Sequence, residues 1–190
     1  MVILKKWIRE FLSVFVFLRF PTIWKLYDYL LTHKKDKGIA ASVFTHYVDN
    51  RGGYIGIGAK FGNIPYFPHG FHGVFISKYS VIGKNAVIFQ GVTIGAVRTK
   101  GSKRTGNPTI GDNCYIGAGA KIIGDVHIGN NCRIGANAVV YEDMPDNSVA
   151  VCSPTRSIEK KEPLDNRFFM LDGDENLCYW ENGSFHKEEE

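Results

Sequence analysis

The sequence predicts a mainly β protein built around a parallel β-helix, with a short α-helical segment before it and a small appendage after it. Three features of one stretch carry this prediction. In the first, isoleucine or valine recurs every six residues with a single break, at Ile76, Ile82, Ile88, Ile94, Ile110, Ile116, Ile122, Ile128, Ile134 and Val140. A helix would show a period of 3.6 and an ordinary strand a period of two, whereas six is typical of short strands wound into the coils of a β-helix.

The other two features concern the residues between the aliphatic positions. The residue four places after each aliphatic residue is usually small, as at Ala86, Ala120 and Ala138. Glycine often follows the aliphatic residue directly, as at Gly83 and Gly111. The aliphatic side chain would fill the interior, the small one would fit beside a corner, and glycine would permit the tight backbone there.

Residues 1–50 are expected to form an N-terminal helical segment, with one or two helices over 4–32. An apolar run over 11–18 is followed by Pro21, which suits the first turn of a second helix. The run is far shorter than the ~20 residues needed to span a bilayer. With basic residues nearby, it could make peripheral contact with a membrane. Packing on the end of the β-helix or on a neighbouring subunit is the simpler expectation.

The β-helix is expected over residues 51–158, and two irregularities interrupt it. The first lies at 65–75, where a stretch rich in glycine and proline contains His69 and His72. The second is a loop at 96–107 that carries four positive charges and no acid. Loops inserted into a regular fold often carry function. Because the loop starts 24 residues after His72, or four hexads, the histidines and the loop are expected on neighbouring coils.

Residues 159–190 are expected to form the C-terminal appendage. Turn signals at Asp172-Gly173 and Asn182-Gly183 lie among aromatic residues, a pattern typical of a small hairpin. Such a hairpin could close the open last coil or cover an edge between subunits, since uncovered strand edges favour aggregation.

The composition excludes several classes of protein. A net charge of +4 over 190 residues, with no basic helix and no finger motif, argues against nucleic-acid binding. Of the four cysteines, Cys114 and Cys132 occupy inward positions of the repeat, so they favour neither a disulfide framework nor a metal site. No signal peptide is evident. The chain is therefore expected in the cytoplasm, or associated with a membrane through its N-terminal segment.

The two histidines of the irregular corner are the candidates for chemistry. An imidazole has an ordinary pKa of about 6.5 and suits general-base work near neutral pH. A loop histidine is more often structural than catalytic, but His69 and His72 accompany a basic loop that breaks the same repeat. Motifs for nucleotide phosphates, for a serine nucleophile and for a zinc protease are absent from the sequence.

Five motifs together resemble a known family. They are Pro68-His69-Gly70, Ile88–Gly95, Pro108–Asn113, Ile116–Gly124 and Ile134–Val140. With them the chain resembles the hexapeptide-repeat acyltransferases, and within these the serine acetyltransferase-like branch, over about residues 53–158.

The resemblance implies a left-handed β-helix, a homotrimer, and acetyl-CoA bound in clefts between neighbouring β-helices. It implies that His69 is the base that takes the proton from an acceptor hydroxyl, with His72 as the second candidate. The positions matched to ligand contacts are Ala96, Ala118, Ala136, Arg133 and Arg156 for the cofactor, and Gln90 and Asn107 for the acceptor.

The chain departs from serine acetyltransferases at two places. Pro68 stands where they have an aspartate, and Gly106-Asn107-Pro108 stands where their Arg-His-Pro handles the serine carboxylate. The expected function is therefore direct acetyl transfer from acetyl-CoA to the hydroxyl of a small molecule or saccharide, with a sugar of a surface polysaccharide or its precursor preferred. The alternative is serine O-acetylation in cysteine biosynthesis. A further alternative is a non-catalytic β-helical scaffold.

Overall fold

The computed structural model describes residues 14–153, 168–172, 176–181 and 184–188. The chain divides into two compact units, Met1–Ser153 and Pro154–Glu190. In the first unit, a helical stretch at 14–19 is followed by helices α1 (Ile23–Thr32) and α2 (Ile39–Asp49).

Short strands make up the rest of the first unit. They are β1 (Tyr54–Ile55), β2 (Lys60–Phe61), β3 (Phe75–Ile76), β4 (Val81–Ile82), β5 (Val87–Ile88), β6 (Thr93–Gly95), β7 (Thr109–Ile110), β8 (Tyr115–Ile116), β9 (Lys121–Ile123), β10 (His127–Ile128), β11 (Arg133–Ile134), β12 (Val139–Val140) and β13 (Val149–Ala150). They form three parallel sheets: sheet 1 (β1-β3-β6-β9-β12), sheet 2 (β2-β4-β7-β10) and sheet 3 (β5-β8-β11-β13). Because every third strand from β3 to β12 belongs to the same sheet, the chain winds in triangular coils, as the period of six predicts.

The register of the sheets places the aliphatic repeat inside. In sheet 1, Ile76 pairs with Ile94, and Ile94 pairs with Ile122 across the inserted loop. All three side chains are fully buried. The repeat therefore resumes in phase after the loop, because the insertion lengthens one corner without shifting the strands.

The corners of successive coils stack into three edges. The histidine edge joins sheets 3 and 1 (67–74, 89–92, 117–120, 135–138), the loop edge joins sheets 1 and 2 (56–59, 77–80, 96–108, 124–126), and the asparagine edge joins sheets 2 and 3 (62–65, 83–86, 111–114, 129–132, 145–148).

Asparagine occupies the left-handed position along the asparagine edge. Asn85, Asn113, Asn131 and Asn147 have φ between 56° and 62°, a region that asparagine tolerates better than most residues. Starting from Asn63, the side-chain amide of each asparagine donates to the next at 2.9 to 3.2 Å. This ladder ties the coils together on the outside.

The helices pack against the first coil. Leu26, Leu30 and Phe44 are buried in the same core as the isoleucines. The buried hydroxyl oxygen of Tyr27 lies 2.8 Å from the Ala59 carbonyl oxygen. Burial raises the pKa of Tyr27, so the hydroxyl keeps its proton to donate. The first coil is thus bonded directly to α1.

Helix α2 was missing from the sequence prediction, which ended the helices at residue 32. The helix buries Ala41, Phe44 and Val48, spaced three and four residues apart, which is a helical period. Within the described residues, no helix is long and apolar enough to cross a membrane.

The second unit contains an antiparallel sheet of β14 (Phe168–Leu171), β15 (Leu177–Glu181) and β16 (Ser184–Lys187). The predicted hairpin is therefore one strand larger, with its connections at the two turn signals. Its role in closing the last coil or a subunit edge stays a prediction.

Candidate active site

The irregular corner projects two histidines from the histidine edge. Gly70 and Gly73 adopt φ of 67° and 64°, a left-handed conformation that lets the chain reverse within a few residues. Phe71 is buried, whereas His69 and His72 are exposed. The corner is thus fixed by an inward phenylalanine and presents both imidazoles to ligands.

An aromatic row runs from His69 across the next coils. Its ring meets Phe89 edge-on at 5.8 Å between centroids, and Phe89 lies 5.0 Å from Tyr115. The guanidinium of Arg133 lies 5.8 Å from the Tyr115 centroid. Among the described residues, neither nitrogen of His69 has a hydrogen-bond partner. Pro68 offers no hydrogen-bonding side chain to the imidazole, so the contact seen at the His69 ring is the edge-on one with Phe89.

His72 contributes its backbone to the same edge. Its carbonyl oxygen accepts a hydrogen bond from the Gly91 N–H at 2.9 Å, which ties the corner to the next coil. The Gly91 carbonyl in turn accepts from the half-buried ammonium of Lys121 at 2.6 Å. Two hydrogen bonds therefore hold the backbone beneath the histidines.

Glycine replaces asparagine at the left-handed position in the first three corners of this edge, and Asn137 occupies that position in the fourth. Gly73, Gly91 and Gly119 have φ of 64°, 71° and 71°, close to the values of the asparagine ladder. A Cβ atom placed on Gly73 would lie 3.3 Å from the Gly91 Cα, so the three glycines form one column. Beside the histidines the edge is therefore bare backbone, which leaves room for an extended ligand.

Three of the seven matched ligand positions lie along this edge. The Gly119 N–H donates to the Gln90 carbonyl, and the Asn137 N–H donates to the Ala118 carbonyl, so Gln90, Ala118 and Ala136 follow the column coil by coil. Arg133 is exposed on the adjoining sheet 3. Arg156 lies outside the described residues.

Ala96 and Asn107 lie elsewhere, at the two ends of the inserted loop on the loop edge. The loop is a short hairpin closed by an antiparallel bridge between Val97 and Gly106. Arg104 donates to the Asp143 carboxylate at 2.9 Å. The pKa of Asp143 is lowered by the His127 backbone N–H and by Arg104. One of the four cations is thus committed to anchoring the loop.

A second set of bonds holds the base of the loop. Arg98 donates to the side-chain oxygen of Asn107 at 3.1 Å. The Ser77 hydroxyl donates to the same oxygen at 3.3 Å and lies 2.7 Å from the hydroxyl of Ser80, which is fully buried. The end of the loop is therefore bonded to the core.

The histidines and the loop lie on opposite borders of sheet 1. The expectation of neighbouring coils is right, since β3 follows the histidines and pairs with β6, which precedes the loop. Since a coil contains three hexads, four hexads are one coil plus one further corner, and the loop therefore begins on the next edge of the β-helix. Clefts of about 510 Å³ lie beside Asp143 and under α1, and neither contains His69. Within one chain the site is an open groove, and its two halves do not meet.

In the part of the chain that the structure describes, no cysteine lies in the corner of the histidines, and the exposed Cys152 lies against the Asn137 carbonyl three coils away. Cys114 is buried, and burial raises the pKa of its thiol. Among the described residues, no group of histidine, cysteine and carboxylate side chains could hold a metal ion. The geometry therefore suits direct proton abstraction by an exposed imidazole.

Known proteins share both the repeat and the fold. A family pattern described as "Bacterial transferase hexapeptide (six repeats)" matches residues 107–142. A serine acetyltransferase of Helicobacter pylori is 37% identical over 151 residues, covering 76% of this chain and 85% of that protein. A serine acetyltransferase of Synechococcus elongatus is 39% identical over 113 residues, covering 57% of this chain and 45% of that protein.

Solved structures agree with these sequence matches. The structure of serine acetyltransferase isoform 3 from Entamoeba histolytica, in complex with cysteine, matches with a TM-score of 0.62 and 33% identity. The match covers 74% of this chain and 50% of that one, so this chain spans about half the length of several of its relatives. The likeness confirms the left-handed β-helix. The chain belongs to the hexapeptide-repeat acyltransferases, in their serine acetyltransferase-like branch.

Proposed function

We propose that the protein is an acetyl-CoA-dependent O-acetyltransferase and that its acceptor is serine. The observation that carries the proposal is the exposed His69 beside a glycine-lined edge, in a chain 37% identical over most of its length to a serine acetyltransferase. The sugar acceptor preferred from the sequence has less support, because the relatives are named for serine. A non-catalytic scaffold would have no need of the histidine edge.

His69 acts as the general base of a direct transfer. Its imidazole takes the proton of the acceptor hydroxyl as that oxygen attacks the thioester carbonyl carbon. The carbon–sulfur bond then breaks, and the proton passes to the departing CoA thiolate. A positioned base of this kind typically contributes ~10²–10⁴-fold to the rate. His72 is the second candidate for the same role.

Acetyl-CoA lies along the histidine edge. The absent side chain of Gly91 and the small ones of Ala118 and Ala136 accommodate the pantetheine arm, and Arg133 binds the phosphates of the cofactor. Arg156 is a further candidate for the phosphates. Gln90 and Asn107 contact the acceptor.

The enzyme is a homotrimer with shared sites. Ala96 and Asn107 lie across sheet 1 from His69, so they join its site only when the loop edge of a second copy faces the first. A cyclic trimer repeats this contact three times without leaving an open end. With serine as the acceptor, the reaction belongs to cysteine biosynthesis and takes place in the cytoplasm. Peripheral membrane contact of the N-terminal segment stays a prediction.

Thiol release from acetyl-CoA tests the proposal. Purified protein should release CoA in the presence of serine, faster than with neutral sugars, and should scatter light as a trimer. Release that depends on a sugar and not on serine would restore the sugar acceptor. Absence of release with every acceptor, together with absence of CoA binding, would favour the scaffold.

A further inference from the structure

We propose that Arg98 is the specificity-determining residue that binds the carboxylate of the acceptor, in the site of a neighbouring copy. The proposal rests on the proposed function. It assigns a role to a residue that lies nine positions before the end of the loop and matches no motif of the family.

The first support is the way that Arg98 is held. Its guanidinium donates to the Asn107 side-chain oxygen, which also accepts from Ser77. Since the Ser77 hydroxyl gives its proton to Asn107, the buried Ser80 hydroxyl donates to Ser77 in turn. A chain of bonds thus runs from the core to the guanidinium and orients it at the base of the loop, beside Pro108.

The second support is charge. Arg104 is paired with Asp143, whereas the partner seen for Arg98 is a neutral amide. The loop 96–107 contains no acid, so it offers no internal counter-charge to Arg98. A guanidinium has five N–H donors in a planar fork that matches a carboxylate. Most of these donors are therefore left for an anionic ligand.

The third support separates the acceptor from the cofactor. The matched phosphate-binding residue, Arg133, lies on sheet 3 beside the histidine edge, while Arg98 lies on the other border of sheet 1. Asn107, matched to the acceptor, is the residue that Arg98 contacts. Its amide group stands next to the guanidinium and supplies neutral donors to the same carboxylate. The pair therefore recognises a small anionic acceptor and leaves the cofactor to the opposite edge.

Kinetics with matched substrates tests this role on the full chain. Arg98→Ala should raise the KM for serine by ~10- to 100-fold, because a charge-assisted hydrogen bond contributes about 1.5–3 kcal/mol. It should leave the KM for acetyl-CoA and the rate with serinamide, which lacks the carboxylate, unchanged. Lys103→Ala removes an exposed charge of the same loop and should change neither constant.

Three outcomes would overturn the assignment. A raised KM for acetyl-CoA with normal serine kinetics would place Arg98 on the cofactor phosphates. Equal losses with serine and serinamide would mean that Arg98 only supports the loop. Calorimetric titration of serine separates this proposal from the proposed function: binding that Arg98→Ala abolishes supports Arg98 even in an inactive protein, and wild-type protein that does not bind serine refutes it.

Mixed trimers test whether Arg98 acts on a neighbour. Co-expressed His69→Ala and Arg98→Ala chains should recover roughly a quarter of the wild-type rate at low serine, since random assortment in a cyclic trimer puts an intact His69 opposite an intact Arg98 at one site in four. Recovery no greater than the mean of the two parent proteins would show that both residues must come from one chain.

Discussion

Substituting Gly91 by asparagine should weaken cofactor binding without unfolding the protein. Gly91 has φ of 71°, near the φ of the four ladder asparagines on the asparagine edge. A Cβ atom there would meet the Gly119 backbone at 3.5 Å, an ordinary contact distance. The asparagine side chain would therefore fit the backbone but stand in the groove beside His69.

The expected magnitudes follow from these contacts. Asparagine in the left-handed region costs about 1 kcal/mol relative to glycine, so the free energy of unfolding should fall by no more than that. CoA affinity should fall at least ~10-fold. The asparagine side chain would displace the ligand from its best position, and a loss of about 1.4 kcal/mol of binding free energy is enough for a tenfold change.

Asn113→Gly is the matched control on the asparagine edge. It removes the hydrogen bonds to Asn85 and Asn131, at 3.0 and 3.2 Å. At about 0.5–1.5 kcal/mol each, their loss should destabilise the protein by about 1–3 kcal/mol. CoA affinity should stay at the wild-type value, because this edge lies away from the histidines.

The assays are urea unfolding at a fixed protomer concentration and calorimetric titration with CoA. Concentration must be fixed because association contributes to the apparent stability of an oligomer. Wild-type CoA affinity in a folded Gly91→Asn protein would refute the placement of the cofactor on the histidine edge. Reduced affinity in Asn113→Gly would point to the asparagine edge.

Two further substitutions test the framework around the site. Tyr27→Phe should lower the free energy of unfolding, measured in urea, by about 1–3 kcal/mol, since two buried carbonyls lose their donor. Tyr29→Phe removes an exposed contact with a lysine and should change it by less than about 0.5 kcal/mol. Equal effects would show that the first coil does not depend on the Tyr27 hydroxyl. The lowered pKa of Asp143 means that its pairing with Arg104 persists as pH falls through the ordinary aspartate value of about 3.9 and is lost only as pH falls through its folded value. An NMR titration of the Asp143 carboxyl should show this low midpoint, and Arg104→Ala should raise it; an ordinary midpoint in the wild-type protein would contradict the anchoring of the loop.

The aliphatic repeat made the β-helix predictable because a buried position recurs once per strand. The ten aliphatic residues of the repeat, from Ile76 to Val140, lie inside as expected, and the break at 96–107 is a loop. Helix α2 was less visible, because no capping side chain marks its start at Gly38. Local pattern thus identified the strands better than the short helix packed beneath them.

The site was predictable in its residues but less so in its arrangement. The glycine-rich corner around His69 was visible as a slip in the repeat. The separation of Asn107 from His69 depends on which of three corners each occupies, and spacing alone does not distinguish corners. The contact between Arg98 and Asn107 depends on how the loop folds back, which has no sequence period. Asparagines at eighteen-residue spacing, such as Asn113 and Asn131, are the trace of the ladder in the sequence.

The turnover number of His69→Ala tests most directly the central claim that His69 is the general base. With saturating acetyl-CoA and serine, kcat should fall by ~10²–10⁴-fold, while CoA affinity and trimer size stay at their wild-type values, because the imidazole acts on the acceptor proton alone. His72→Asn should cost much less. A near-normal kcat for His69→Ala, or a larger loss in His72→Asn, would contradict the assignment of the base.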